Sequence, residues 1–436
     1  MLSYFVDKTE VDKVNELIVI GGGAAGMMAA CTAAAQGARV VLLEKMVRCG
    51  RKIRITGKGR CNVTTAGSRE EILAKIRRNP KFMYSSLDGF DNRAVWDFFT
   101  SRGCALKVER GEKVFPVSDQ AQDIVDTLVA ELKRQGVRVC TETAVTALEA
   151  LPEGGFCVKD ANGGQWQAEA VIVATGGASY PGTGSTGDAY AWLAALGQKI
   201  EPPHPALVPL VTKEDWVPQL QGLSLRNVHL SIEDPRGKML YSEQGEMLFT
   251  HFGVSGPIVL SASGNCAAYW QKKRSVLKAH LDLKPALSEA QLDARLLREI
   301  SAMPNKQVAS LLKTLLPQKL VPVFLAQTNI AEDRVLHDLT REERHRILAL
   351  LKDFSFTLTG TRPLAEGIVT AGGLSVKAVH PKTMAVKQLP GLFVAGELID
   401  VDAYTGGFNL QIAFSTGHAA GVAACRYLQD SQEEQA

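Results

Sequence analysis

The pattern Gly21-x-Gly23-x-x-Gly26 constrains this chain more than any other feature of it. It follows the apolar run Leu17–Ile20 and opens a small-residue stretch, Ala24–Gln36. An apolar run that ends in glycine reads as a buried parallel strand, and the small-residue stretch as a helix packed on it. A second apolar run, Arg39–Leu43, ends at Glu44 and completes a βαβ unit. In such a unit the first glycine permits a tight turn, and the second lets backbone approach a diphosphate. The third lets the helix sit close on the strand. The helix start at Ala24 and Ala25 then turns its free N–H groups toward an anion. A carboxylate at Glu44 accepts ribose hydroxyls and repels a 2′-phosphate. This combination predicts a dinucleotide site without choosing between NAD and FAD.

The same region raises a membrane question, because Leu17 to Ala35 carries no charge. Gly21, Gly22, Gly23 and Gly26 interrupt it, and many other positions are alanine. A signal peptide needs a basic start and a continuous apolar core. Met1–Glu16 is mixed and carries several acids, so a strand and a helix are expected here and no membrane insertion. The 436 residues call for two to three domains. With 46% hydrophobic and 22% charged residues, the composition is that of a globular chain and not of a disordered one. A net charge of +3 does not point to nucleic acid, so a small-molecule substrate is expected. The eight cysteines are scattered, with no C-x-x-C pair and no Cys/His cluster of zinc-like spacing. They read as reduced thiols of a cytoplasmic protein that holds no metal. Oligomeric state is not legible.

Further along, Gln120–Gln135 has helical spacing, and Val137–Cys140 and Ala170–Ala174 read as strands. Pro202, Pro203, Pro205 and Pro209 mark a boundary. From Val208 to Leu283 the runs are short and alternating, as in Val228-His229-Leu230-Ser231-Ile232, which predicts an antiparallel β domain. Leu287–Phe354 changes to helical spacing, with capping boxes at Ser288/Gln291 and Thr340/Glu343. Gly391–Ala395 restores an apolar strand, and Phe408–Ala424 a helix of small residues. The expected fold class is α/β: a Rossmann-type domain interrupted by a small β-barrel-like domain that carries a helical insert. The expected segments are 1–203 for the first part of the nucleotide-binding domain, 204–285 for the β domain and 286–354 for the insert. Residues 355–436 would complete the β domain and then the nucleotide-binding domain.

Two later motifs choose the cofactor. Val171–Gly177 is a strand ending in Thr175-Gly176-Gly177, and Leu392–Glu397 is another, close to the C-terminus, followed by a loop and a helix. Together they resemble the motifs of flavoproteins of the glutathione-reductase structural class. In that class the late strand brings an acid to the ribityl–pyrophosphate region, and the next helix aims its positive end at the flavin.

The stretch Gly50–Thr64, with Gly57-Lys58-Gly59-Arg60-Cys61-Asn62, is more specific. So are Ser179-Tyr180-Pro181, Thr183–Asp188, Thr250–Pro257, Thr370–Gly373 and Gly396 through Gln411. These stretches, in order along nearly the whole chain, resemble the HI0933-like flavoproteins, a family of FAD- and NAD(P)-dependent oxidoreductases. Its characterised members include a bile-acid enone reductase and an aminoacetone oxidase. The resemblance implies FAD, with NADH or NADPH as transient reductant. It implies cofactor contacts from Gly21, Gly23, Ala24, Ala25, Gly26, Glu44 and Lys45, and from Lys52, Gly59, Arg60, Cys61 and Asn62. Further contacts are implied for Val145, Thr175, Gly176, Gly177, Gly396, Glu397, Asp400, Gly407, Phe408, Asn409 and Leu410. Ala403 departs from the pattern, where glycine is expected.

Arg48, Arg51, Lys52, Arg54, Lys58 and Arg60 crowd one loop. Three readings stay open: contacts to FAD or a phosphorylated reductant, a solvated surface, or a polyanion site. The loop is not a P-loop, because Gly59 stands where Ser or Thr is required. Gly182-x-Gly184-x-x-Gly187 repeats the nucleotide pattern literally, but Tyr180-Pro181 precedes it in place of a strand. It reads as a loop beside the cofactor, with Asp188 starting a helix. Tyr180, His251 and Tyr404 are the candidate catalytic residues, each in a glycine-rich motif and able to give a proton. Cys49 and Cys61 flank the basic loop without a partner at dithiol spacing, and no thiol redox role is expected.

The expected reaction is NAD(P)H-driven reduction of an organic acceptor such as an activated C=C bond. A flavin oxidase of a small amine or alcohol is the alternative. A flavin-containing RNA-binding or RNA-modifying factor is the reading from another class.

Overall fold

The computed structural model describes residues 15–273 and 275–435. Most of the Met1–Glu16 segment lies outside them. The contacts divide the chain into two units, one running to His204 and resuming at Ile368, the other Pro205–Gly367.

In the first unit, seven strands among the described residues form one sheet. Strand β1 (Asn15–Ile20) runs parallel to β2 (Val40–Leu43), with Ile18 opposite Val41. On the other side of β2 lies β3 (Arg138–Cys140), also parallel. β4 (Val145–Ala150) and β5 (Phe156–Asp160) are antiparallel and lead into β6 (Gln165–Val173). The second half of β6 is parallel to β1, with Ile172 opposite Val19. Its other edge there receives a strand from far along the chain, Leu392–Val394, with Phe393 opposite Ile172. The reason is apolar content: β2 is buried along its whole length, as are Ala170–Val173 of β6 and Leu392–Val394. Strands buried on both faces carry continuous apolar runs.

Helix α1 (Ala24–Ala35) follows β1, and α2 (Arg51–Ile55) opens the basic loop. α3 (Ala121–Arg134) buries Ile124, Val125, Leu128 and Leu132, the face its periodicity predicts. α4 (Asp188–Ala195) starts at Asp188 with Gly187 in the left-handed region before it. α5 (Phe408–Gln435) runs past the expected Ala424. α1 and α5 touch backbone to backbone: a Cβ on Gly417 would stand 2.3 Å from the Ala25 oxygen, and one on Gly421 2.5 Å from the Ala29 oxygen. The alanine and glycine content of both helices makes this approach possible.

The proline stretch is itself a strand. β7 (Ile200–Ala206) pairs with β8 (Val369–Leu374) in a two-stranded sheet, in which each strand keeps an open edge of the kind that tolerates proline. Leu392–Val394 is β9 from here on.

In the second unit, Leu210–Thr212, Ser224–Glu233, Met239–Phe249, Gly253–Ser255, Leu277–Asp282 and Phe356–Thr361 close into an antiparallel barrel. Alternation explains its inner face: Val228, Leu230 and Ile232 are buried. The alternating pattern gave no sign of the helix Pro257–Trp270 between two of these strands. Helices Glu289–Ala302, Val308–Leu315, Val321–Thr328 and Arg341–Lys352 make the insert, and both capping boxes form as read. The fold class is therefore the expected one, a Rossmann-type sheet and a closed antiparallel barrel in one chain.

Candidate functional site

The carboxyl ends of β2, β1, β6 and β9 lie side by side. The Gly21 N–H donates to the Leu43 carbonyl at 2.8 Å, Ala174 to Ile20 at 2.8 Å, and Ala395 to Val173 at 3.0 Å. The glycine turn, Glu44, Thr175 and Gly396 thus share one edge, the edge at which parallel α/β sheets bind ligands.

Each glycine of the turn has a separate reason. A Cβ on Gly26 would meet the Gly21 oxygen at 1.9 Å, and one on Gly21 the Ala174 oxygen at 2.5 Å. A Cβ on Gly23 would meet nothing within 4 Å. Gly23 has φ −84°, so packing and backbone both tolerate a side chain there. Open space at the helix N-terminus suits a diphosphate group. Glu44 is buried, and its two oxygens accept the N–H groups of Gly22 and Met46 at 2.7 Å each. Burial pushes its carboxyl up from the ordinary range, against the pull of those N–H groups and Lys45. The Thr143 N–H donates to the Glu44 carbonyl, which brings Val145 at the start of β4 to the same edge.

After β9, Glu397 gathers residues from three other parts of the chain. One oxygen accepts the Thr370 N–H at 2.7 Å and the Ser179 hydroxyl at 3.0 Å. The other accepts Lys52 Nζ at 2.9 Å, and Lys52 also donates to Ser179 Oγ at 3.1 Å. Burial pushes this carboxyl up, but the Lys52 ammonium and the donors from Thr370 and Ser179 outweigh it and hold it below the usual range. Gly177 is required beside it, since a Cβ there would stand 2.3 Å from Thr370 Oγ1. Of the basic loop, it is Lys52 whose side chain reaches Glu397. Thr370 and Ser179, inside motifs noted above, have no sequence signal marking them as Glu397 donors.

The N-terminus of α5 is set against Thr64: a Cβ on Gly407 would meet the Thr64 oxygen at 2.5 Å. The Thr64 hydroxyl donates to Gln411 Oε1 at 2.6 Å. Phe408 is buried and Leu410 half-buried in this first turn. Two predicted contact residues, Asn62 and Thr175, carry buried side-chain oxygens without a protein partner. Buried polar groups without partners are rare in folded proteins. These two acceptors, the open space at Gly23 and the two helix N-termini fit FAD.

Other predicted site residues are engaged elsewhere. Asp400 is buried, and its carboxylate accepts Arg78 Nη2 at 2.8 Å. Asn409 braces Ala403, its Oδ1 accepting the Ala403 N–H at 3.0 Å and its Nδ2 donating to the Ala403 carbonyl at 2.9 Å. Ala403 is not among the positive-φ residues, so the departure from glycine carries no backbone strain. Arg60 lies over the Phe115 ring and donates to Asp119 and Glu109. Arg54 donates to Gln122 and the Cys49 carbonyl. Lys45 bridges to Asp188 at 2.5 Å and to Thr186, beside the Gly184 turn. Gly59 is exposed. Cys61 is buried with φ 59°, and burial pushes the Cys49 and Cys61 thiols up to about 12.

Of the candidate catalytic residues, Tyr180 follows Ser179 directly, is 40% exposed and has φ 52°. A left-handed tyrosine is uncommon enough to ask what fixes it. Tyr404 opens the approach to α5, with Lys75 Nζ 5.7 Å from its ring centroid. His251 belongs to the barrel unit, where it packs edge-on against Phe252. Among the described residues no His, Cys, Asp and Glu group suits a metal, and no helix is long and apolar enough to cross a membrane.

Known proteins resemble this chain over nearly all of it. The family model for the HI0933-like protein Rossmann domain matches residues 15–423. The 3-dehydro-bile acid delta(4,6)-reductase of Clostridium scindens is 31% identical over 414 residues, 94% of this chain and 99% of that protein. The ribosomal RNA dihydrouridine synthase of Haemophilus influenzae is 31% identical over 425 residues, 95% of this chain and 100% of that protein. The protein of the same name from Escherichia coli is 32% identical, covering 93% of this chain and 96% of its own. Among solved structures, 3-ketosteroid delta1-dehydrogenase from Sterolibacterium denitrificans is 13% identical with a TM-score of 0.53, covering 95% of this chain and 99% of that one. That likeness is one of fold.

Proposed function

The chain belongs to the HI0933-like family of FAD-dependent oxidoreductases, and from that premise we propose that it reduces a C=C bond conjugated to a carbonyl, with NADH or NADPH as reductant. One observation carries the reading. The names of the full-length relatives describe one bond chemistry on two kinds of molecule. Removing a Δ4,6 unsaturation from a 3-oxo steroid and turning uridine into dihydrouridine both saturate an electron-poor C=C bond next to a carbonyl. Such a bond takes hydride at the carbon β to the carbonyl and a proton at the α carbon.

When bound, FAD supplies the two-electron hydride chemistry. The chain's part is to bind, orient and provide the proton. In this reading the Gly21–Gly26 turn and the start of α1 hold the diphosphate, and Glu44 the ribose. Glu397, Thr175, Asn62 and the first turn of α5 hold the remainder of the cofactor. The Lys52–Glu397 pair keeps the carboxylate ionised and fixed. Tyr180 is the proton donor, anchored through Ser179 to that same carboxylate, and Tyr404 is the second candidate.

The acceptor has two readings. A small enone is one. A uracil base in RNA is the other, favoured by two relatives aligned over 93% and 95% of this chain. The near-neutral net charge, which spoke against nucleic acid, does not outweigh that similarity. The test is anaerobic bleaching of the purified yellow protein by NADH and by NADPH. Re-oxidation is then attempted with a 3-oxo-Δ4 steroid or with unmodified ribosomal RNA, followed by mass analysis of its nucleosides. Bleaching and re-oxidation by one of the two are expected. No bleaching by either nucleotide, together with peroxide release from an amine or alcohol alone, would replace this reading by an oxidase.

A further inference from the structure

Two consecutive arginines meet two alternate aspartates. Arg77 Nε donates to Asp402 Oδ2 at 2.9 Å, while Arg78 Nη2 donates to Asp400 Oδ2 and Nε stands 2.8 Å from Oδ1. Asn79 Nδ2 adds a bond to the Asp400 carbonyl at 2.6 Å. The backbones pair as well. The Arg77 N–H donates to the Asp402 carbonyl at 2.9 Å, the Tyr404 N–H donates to the Lys75 carbonyl at 3.0 Å, and Ile76 bridges Ala403. The Arg77, Asp402 and Asp400 side chains are 8%, 1% and 5% exposed.

Buried ion pairs contribute little net stability, because desolvation offsets their attraction; fixing register is their best-attested use. Register is at stake here. The segment between Glu397 and Phe408 joins the end of β9 to the start of α5, so its course sets both. Asp400 and Asp402 flank Val401, and the segment bends at Asp400, where the Val401 N–H donates to the Ile399 carbonyl at 2.6 Å. A slip of one residue would set the buried, apolar Val401 against an arginine in place of an aspartate and leave that charge unpaired.

We infer that Arg77 and Arg78 are positioning residues for the cofactor: they set the register of Asp400–Tyr404 against Lys75–Asn79 and so place Glu397 and the first turn of α5. Neither arginine needs to touch FAD. The inference rests on the assignment of the Glu397–Phe408 segment to the FAD site, and not on the acceptor.

The test uses the full chain and the double variant Arg78→Met/Asp400→Leu, which removes one pair without stranding a charge. The dissociation constant for FAD is expected to rise at least about tenfold, with an altered visible circular dichroism of the bound flavin. The thermal midpoint of the FAD-free protein stays within a few degrees of the parent. Arg78→Lys keeps the charge but not the planar fork, and should recover part of the affinity. An FAD affinity within about twofold of the parent, with an unchanged dichroism spectrum, would overturn the inference. If the double variant does not fold, Asp400→Asn is read by the same two measurements. Weaker binding with an altered spectrum supports the inference, and parental values overturn it. Both readouts precede any reductant, so a failed bleaching experiment would sink the reduction reading and leave this one standing.

Discussion

At the scale of single residues, the glycine turn separates binding from folding. Gly26 is dictated by the fold, since a methyl group there would press on the Gly21 carbonyl at 1.9 Å. Gly26→Ala should cost about 1–3 kcal/mol of stability, the usual penalty of overpacking. Gly23 is free of any such packing constraint, and in the proposed reading it is kept for the diphosphate that approaches it. Gly23→Val adds a side chain into open space at ordinary φ, so the urea midpoint should hold while FAD affinity falls at least about tenfold. A Gly23→Val protein that binds FAD like the parent would show that the diphosphate does not lie there. The sequence made the Gly26 constraint legible because the neighbour it meets is local. It gave no sign that the side chains of Asp400 and Asn409 would be engaged by Arg78 and by the Ala403 backbone. The Asp400 partner Arg78 is 322 positions away, and nothing near either residue announces the other. The same holds for Lys52 and Glu397, separated by 345 positions; family resemblance placed both in the site, but no local pattern paired them.

At the scale of elements, legibility followed pattern. β1 and β2 stand out as continuous apolar runs, α1 and α5 as long stretches of small residues and α3 by its helical period, and all were read in place. The region between α2 and Pro116 was not, because it is built of short pieces. The helices Arg69–Lys75, Tyr84–Gly89 and Asn92–Thr100 alternate there with a three-stranded sheet whose shortest strand is Thr64–Thr65. Periods of 3.6 or 2 cannot be recognised over so few residues. The contact of α1 with α5 is legible only as composition, yet it carries the site: the same Ala25 that receives Gly417 also stands 2.8 Å from where a Gly396 Cβ would be. Gly417→Val should therefore force the helices apart and carry the β9 loop with them. A loss of about 1–3 kcal/mol in urea denaturation, together with weaker flavin retention, is the expected pair of outcomes. Lost stability with unchanged flavin affinity would show that the two helices can separate without disturbing the cofactor end.

At the scale of the whole molecule, the dinucleotide unit is discontinuous, and its continuity is restored by pairing. β9 supplies the edge that the second half of β6 lacks, so a chain ending near Pro202 would expose Val171–Val173 and lack both Glu397 and α5. Such a truncation should not retain flavin. The converse deletion is more discriminating. The chain leaves the first unit along β7 and returns along β8, and these two strands pair with each other. The Ser375 N–H donates to the Lys199 carbonyl at 3.0 Å, and a Cβ on Gly372 would meet the Pro202 oxygen at 2.5 Å. The exit and the return are therefore neighbours inside one unit, so a short glycine-rich linker can replace residues 205–367 with little cost in loop closure. The shortened protein should purify yellow and bind FAD within about tenfold of the full chain. Absorbance of the purified protein near the flavin maximum decides it. A colourless but cooperatively folding product would mean that the barrel unit contributes to the cofactor site itself, and the assignment of FAD to the first unit alone would fall.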